Sequence, residues 1–227
     1  MKYKTNYLNA KICSVRLITG LLFLLAFGIF IGLATEIVLK NNPGMDASVI
    51  KYVRANETES LIHFMIIFTF FGSAQFLLPV YTILILFYLF KKNKSYAIDI
   101  ALTGIISTSI LFLLKNIFKR HRPSLPIVKT IVGYSFPSGH SLSSFVFCSI
   151  LGYLIFQSDL KIPVKYAISF LLILFTLTIG LSRIVLNVHY ASDVLAGYCM
   201  GFVMVVVAFY IIKKARDINL KNINTLE

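Results

Sequence analysis

Six long apolar runs, 17–39, 62–90, 95–114, 138–157, 166–182 and 190–212, fix what this chain can fold into. A helix needs roughly 20 mostly apolar residues to cross a bilayer, and in lipid a lone segment satisfies its own backbone groups only as a helix. The expectation is an all-α polytopic membrane protein, with six transmembrane helices in one bundle. The second run is too long for one perpendicular helix, and Gly72-Ser73 divides it into a short dipping piece and a span. The fifth is short, but helical periodicity carries it on through Ile184 and Val185.

Composition agrees with a lipid environment. Only 14% of the 227 residues are charged, against about a quarter in soluble domains, and the mean hydropathy is +0.83. The net charge of +13 would point a soluble protein to nucleic acid, but no soluble domain is left over to bind it. Topogenic charge and attraction to anionic lipid explain it instead. An even span count puts both termini on one side. With both termini cytoplasmic, 13 of the 22 basic residues fall in cytoplasmic tails and loops, the orientation that positive charge favours. Five of the remaining nine crowd between Lys115 and Lys129, and that outer cluster needs a reason of its own.

The basic residues Lys2, Lys4, Lys11 and Arg16 precede the first run as in a signal peptide, yet that run is too long for a cleaved one, so an uncleaved anchor is expected. The chain reads as one domain over 1–227, with its core at about 60–212 and cytoplasmic tails at 1–16 and 213–227. Cys13, Cys148 and Cys199 have no paired or metal-like spacing and read as packing residues. The small-x3-small pairs Gly28/Gly32 and Gly197/Gly201 read as intramolecular helix seams. Asn56-Glu57-Thr58 fits a glycosylation pattern, which in three residues carries little weight. No obligate protein partner is expected.

Polar chemistry gathers at one set of run ends. After the third comes "KNIFKRHRP", residues 115–123. Lys115 and Arg122 stand two helical turns apart and share a face if the helix persists to Pro123. Cations snorkelling to an interface would explain this stretch as well. The fourth opens with "YSFPSGHSLSS", residues 134–144. Pro137 suits a helix entrance, Ser138 caps it, and Gly139 lets backbone approach a ligand closely. The free N–H groups of a first turn suit phosphate, and His140 is placed there to give a proton to a leaving oxygen. An interfacial cap with an incidental histidine accounts for that stretch equally well.

A third stretch tips the balance: "GLSRIVLNVHYASDVLAG", residues 180–197. His189 and Asp193 are i, i+4, so the carboxylate can hold one imidazole nitrogen and leave the other free to attack. An ionisable pair in a membrane helix is costly and functional by default. Arg183 lies six residues before it, and Asn187 in the short turn between. No metal is implied: carboxylates are few near these ends, and no His-x3-His or carboxylate cluster appears. Cations would neutralise phosphate instead, Arg122 and Arg183 as bidentate forks and Lys115 as a compact charge.

Together Lys115-x6-Arg122-Pro123, Pro137-Ser138-Gly139-His140 and Ser182-Arg183-x5-His189-x3-Asp193 resemble the three motifs of the type 2 phosphatidic acid phosphatase superfamily, in order, over about residues 60–212. The resemblance implies a six-helix, metal-independent membrane phosphatase with no cofactor and its site at the outer leaflet. It implies His189 as the nucleophile that forms a phosphohistidine, Asp193 as its orienter, and His140 as the proton donor that later activates water. Lys115, Arg122, Arg183, Ser138 and the Gly139 backbone are implied to hold the phosphoryl oxygens.

The chain's small size resembles bacterial members of the inner membrane acting on phosphatidylglycerophosphate or undecaprenyl pyrophosphate, with phosphatidic acid a further candidate. A lipid phosphotransferase would use the same residues. Soluble haloperoxidases share the motifs, but six apolar runs argue against them. A transporter would place its polar groups near the bilayer midplane, whereas these gather at one face.

Overall fold

The apolar runs become helices whose starts are set by small polar residues. In the computed structural model, residues 2–40, 44–128 and 133–224 are described, without the side chains of 2–13, 40 and 217–224; the expectation for Cys13 lies outside them. All regular structure among these residues is helical: α1 (Lys2–Lys40), α2 (Gly44–Asn56), α3 (Glu59–Phe71), α4 (Ala74–Phe90), α5 (Lys94–Phe118), α6 (Gly139–Phe156), α7 (Ile162–Val185) and α8 (Ala191–Asn224). Thr58, Ser73, Asn93 and Ser138 each accept a hydrogen bond from a backbone N–H three residues on, capping α3, α4, α5 and α6. Thr58 of the glycosylation pattern thus serves as a cap.

Among the described residues five helices are long and apolar enough to cross a membrane, and α3 with α4, bent by 40° at Gly72-Ser73, counts as a sixth span when the pair is taken together. The chain is a six-span integral membrane protein. The break falls where the sequence places it, because Gly72 ends one helix and the Ser73 hydroxyl starts the next. Helix α7 does run through Val185. The 13-residue helix α2, between the first two spans, was not expected.

The core lies along α6 and α8. Leu142, Val146 and Ile150 of α6 meet Ala196, Met200 and Val203 of α8, while Phe30, Ala34 and Ile37 of α1 close one side. Lipid offers no hydrophobic drive between spans, so close packing supplies it. A Cβ at Gly197 would stand 2.8 Å from the Ser138 carbonyl oxygen, and one at Gly201 3.2 Å from Phe145. That pair is the expected seam. Gly28 and Gly32 are not: both are exposed, with nothing within 4 Å of their Cβ positions, because α1 turns Phe30 and Ala34 inward instead.

At the end of the bundle away from the motifs, Lys165 of α7 donates to the carbonyls of Phe156 and Ser158, closing the C-terminus of α6. At the other end, residues 119–128 and 133–138 cross over the helix tips. Ser135 N–H donates to the Arg120 carbonyl at 2.8 Å, and Ile127 N–H to that of Leu186 at 3.0 Å. Phe136 is fully buried against Phe30 and Phe118, ring centroids 5.7 and 5.0 Å away, and pins this crossing to the core.

Candidate active site

Helix α5 does not persist to Pro123. It stops at Phe118 because Lys119 takes a left-handed conformation (φ 45°), so Lys115 and Arg122 do not share a helical face. They reach one place by different routes. Lys115, in the last turn of α5, donates to the Tyr134 carbonyl at 2.6 Å. Arg122, from the loop, donates to the same carbonyl at 3.4 Å, to Gly133 at 3.0 Å and to Val188 at 2.8 Å. Burial lowers the pKa of Arg122, an effect the Asp193 carboxylate opposes.

His189 sits in the short connection between α7 and α8, just before α8 begins, and is 2% exposed. The turn is made by Asn187, left-handed at φ 54°, whose amide nitrogen donates to the carbonyls of Ser124 and Leu125. Asn and Asp are among the few residues with a side chain that tolerate this conformation. Nδ1 of His189 lies 3.4 Å from Oδ2 of Asp193 and 3.2 Å from the Ser135 hydroxyl. The hydroxyl itself donates to that Oδ2 at 2.5 Å, so it can only accept from Nδ1. On the far edge of the ring, Nε2 lies 3.0 Å from Nη1 of Arg122. A guanidinium has no acceptor, so Nε2 carries the lone pair and Nδ1 the proton. Burial drives the His189 pKa down to about 3, reinforced by Arg122 and Arg183 and opposed by Asp193, which keeps the ring neutral.

Arg183, in the last turn of α7, is 3% exposed and donates through Nη1 to the Thr69 hydroxyl of α3. Its buried Nε has no hydrogen-bond partner among the described residues. Ser138 is fully buried, its hydroxyl accepting from Ser141 N–H at 3.4 Å and Ser141 Oγ at 3.0 Å. It therefore acts as the cap of α6, with its own N–H donated to the Asp193 carbonyl. Gly139 follows, close against Leu111 of α5, where a Cβ would stand 3.3 Å away. His140 is half-buried, and no described residue hydrogen-bonds to its ring. Lys115, Arg122, Arg183 and His189 all lie near enough to act on it electrostatically.

Every site residue expected from the sequence thus comes to this end of the bundle. Four residues that sequence reasoning missed join them: Ser135, Thr69, Arg120 and Asp46. Arg120 donates to Asp193 Oδ1 at 2.6 Å and to Asp46 Oδ2 at 2.8 Å. No group of three or more His, Cys, Asp and Glu side chains suited to a metal ion forms among the described residues. Cations dominate instead, with first-turn N–H groups of α6 beside them.

Bundle and site together define a polytopic membrane protein with a cluster of cations and histidines at one end of its helices. The chain belongs to the PAP2 superfamily, whose family model matches residues 94–217, more than half of it. Phosphatidylglycerophosphatase B of Bacillus subtilis (strain 168) is 27% identical over 150 residues, covering 64% of this chain and 70% of that protein. The crystal structure of a transmembrane PAP2-type phosphatidylglycerolphosphate phosphatase from Bacillus subtilis superposes with a TM-score of 0.75 at 23% identity, over 85% of this chain and 96% of that one. The crystal structure of Aquifex aeolicus LpxE gives a TM-score of 0.58 at 22% identity, over 74% and 97%. The chain is an integral membrane lipid phosphatase.

Proposed function

We propose that the 227 residues act as one domain that hydrolyses the phosphomonoester or pyrophosphate headgroup of a membrane lipid through a phosphohistidine at His189, without a metal or other cofactor. The observation that carries this reading is the two-sided setting of the His189 ring. Nδ1 is backed by Asp193 and Ser135, while Nε2 faces the Arg122 guanidinium at 3.0 Å.

In the first step Arg122 Nη1 passes from Nε2 to a phosphoryl oxygen, the freed Nε2 lone pair attacks phosphorus, and the bond to the leaving oxygen breaks. His140, at the first turn of α6, gives that oxygen its proton. The imidazole gains positive character as the P–N bond forms, and Asp193 stabilises it through Nδ1–H. Arg122, Arg183 and Lys115 hold the equatorial oxygens, with the N–H groups of the turn that Ser138 caps and Gly139 opens. Phosphoryl transfer draws its catalysis mainly from such fixed charge and positioning. A phosphoryl oxygen would also satisfy the unpartnered Nε of Arg183, a buried donor costly to leave unpaired. In the second step His140 takes a proton from water, the water attacks phosphorus, and the P–N bond breaks.

The similarity to phosphatidylglycerophosphatase B supports phosphatidylglycerophosphate as the first substrate to try, ahead of undecaprenyl pyrophosphate and phosphatidic acid. The distribution of basic residues supports cytoplasmic termini and a site at the extracytoplasmic face of a bacterial inner membrane. The deciding experiment measures inorganic phosphate released from these three lipids by purified protein in detergent with excess EDTA. Turnover that persists, and that vanadate inhibits as a mimic of five-coordinate phosphorus, is expected. Loss with EDTA and return with Mg²⁺ would overturn the cationic-pocket mechanism. Transfer to a second lipid without free phosphate would make the chain a phosphotransferase.

A further inference from the structure

Helix α2 is exposed along most of its length and buries a single residue fully, the carboxylate of Asp46. A short helix docking for hydrophobic gain would bury apolar side chains; this one spends its deepest contact on a charge, which is costly in a dry interior. The charge is fully matched. Asp46 Oδ2 accepts from Arg120 Nη2 at 2.8 Å and from the Ser192 hydroxyl at 2.6 Å, and Oδ1 accepts from Ser192 N–H at 2.9 Å. The other arm of the same guanidinium, Nη1, donates to Asp193 Oδ1 at 2.6 Å. Asp193 turns its second oxygen, Oδ2, toward His189 Nδ1 at 3.4 Å. Asp46, Arg120, Asp193 and His189 thus form one buried chain, 0%, 6%, 0% and 2% exposed.

We propose that Asp46 and Arg120 are positioning residues for the reaction, acting on His189 through Asp193. This rests on the reading of His189 as nucleophile. Arg120 is a planar fork stretched between two carboxylates, so Asp46 on one arm helps set its direction at Asp193 on the other, together with the Ser192 hydroxyl, 2.7 Å from Nη1, and the Tyr190 ring, 4.0 Å from the guanidinium carbon. It grips Oδ1 and leaves Oδ2 for the histidine. Asp46 also sets charge. With it, the buried group of two carboxylates and one guanidinium carries a net negative charge, which favours the positive imidazole formed on phosphorylation. Without it, Arg120 neutralises Asp193 alone, and that support is lost. Asp46 lies outside residues 94–217, the segment that carries the family likeness.

Asp46→Asn keeps the shape and removes the charge. On a lipid phosphate its kcat per folded enzyme is expected to fall about tenfold with KM within about twofold. In an Asp193→Asn background the same change should cost less than about twofold, because its route to the histidine is already cut. A purely structural role would lower melting temperature and yield but leave kcat per folded enzyme unchanged, and would cost the same in both backgrounds. Either of those results overturns the proposal. If Asp46→Asn yields no folded protein, Arg120→Lys tests the same point, keeping a positive charge without the fork. Its kcat should fall comparably, and a wild-type kcat overturns the proposal. His189→Ala runs alongside. If it retains turnover, the nucleophile reading fails and this inference with it; if it is inactive while Asp46→Asn matches wild type, only the inference fails.

Discussion

Gly72, at the bend between α3 and α4, lies so close to His140 that a Cβ there would stand 3.0 Å from the imidazole Cδ2 and 2.6 Å from Cγ2 of Ile179. The break in the second span is thus the wall beside the ring. Gly72→Ala should displace His140 by a fraction of an ångström to an ångström, and misplacement of that order costs up to about 10²-fold. Turnover of a lipid phosphate is expected to fall by about 10- to 100-fold, with much less loss on p-nitrophenyl phosphate, whose good leaving group needs little protonation. Wild-type turnover of the lipid by Gly72→Ala would show that the ring has room to spare.

The two histidines should separate by leaving group. His140→Ala keeps a nucleophile but loses the acid, typically 10²–10⁴-fold, and p-nitrophenyl phosphate should partly rescue it. His189→Ala should show no rescue, since no phosphoenzyme can form. Asp193→Asn should fall between them, retaining geometry but supporting the charged ring less well. The ratio of rates on poor and good leaving groups reads this out. Equal losses on both substrates for His140→Ala would reduce His140 to phosphate binding.

Acid should destabilise the fold through His189. Its pKa is held at about 3 in the folded protein, below the ordinary 6.5. Between those values the unfolded chain binds a proton that the folded chain refuses. This contribution to stability is therefore full above about pH 6.5 and shrinks as pH falls toward 3. Melting temperature in detergent should drop more steeply from pH 6.5 to 4 for wild type than for His189→Gln. Parallel profiles would mean that the imidazole is already charged in the native state.

Ser124 is exposed in the crossing loop, and its own carbonyl accepts from the Asn187 side-chain amide. With the site facing outward, Ser124→Cys should react with an impermeant thiol reagent on intact cells. Reaction only after lysis would invert the assigned topology.

The residues closest to the proposed chemistry were legible because ionisable groups are rare in apolar runs, and His189, Asp193, Arg183 and His140 stand out against them. Their supports were hidden for a physical reason. Arg120 sits between Lys119 and Arg122 and reads as one more interfacial cation. Only the folded bundle brings it to Asp193, 73 residues on. Ser135 and Thr69 are ordinary hydroxyls until the loop and α3 lay them against charged partners. Helix α2 is too short and polar to register as a span, so a reading keyed to spans passes over Asp46. The end of α5 was misjudged because Lys119 adopts a left-handed conformation with no glycine to announce it.

The bond between Asp46 and Ser192 joins residues 146 positions apart. At synthesis rates of about 5–20 residues per second, roughly 7–30 s separate their emergence from the ribosome. Throughout that interval the carboxylate of α2 lacks the partner carried by the final span. A nascent chain that stalls before α8 is inserted therefore lacks both Asp193 and the clamp behind it. On the proposed mechanism lipid hydrolysis would begin only once synthesis has passed the last motif, so a half-made enzyme would not strip phosphates from the membrane in which it is being assembled.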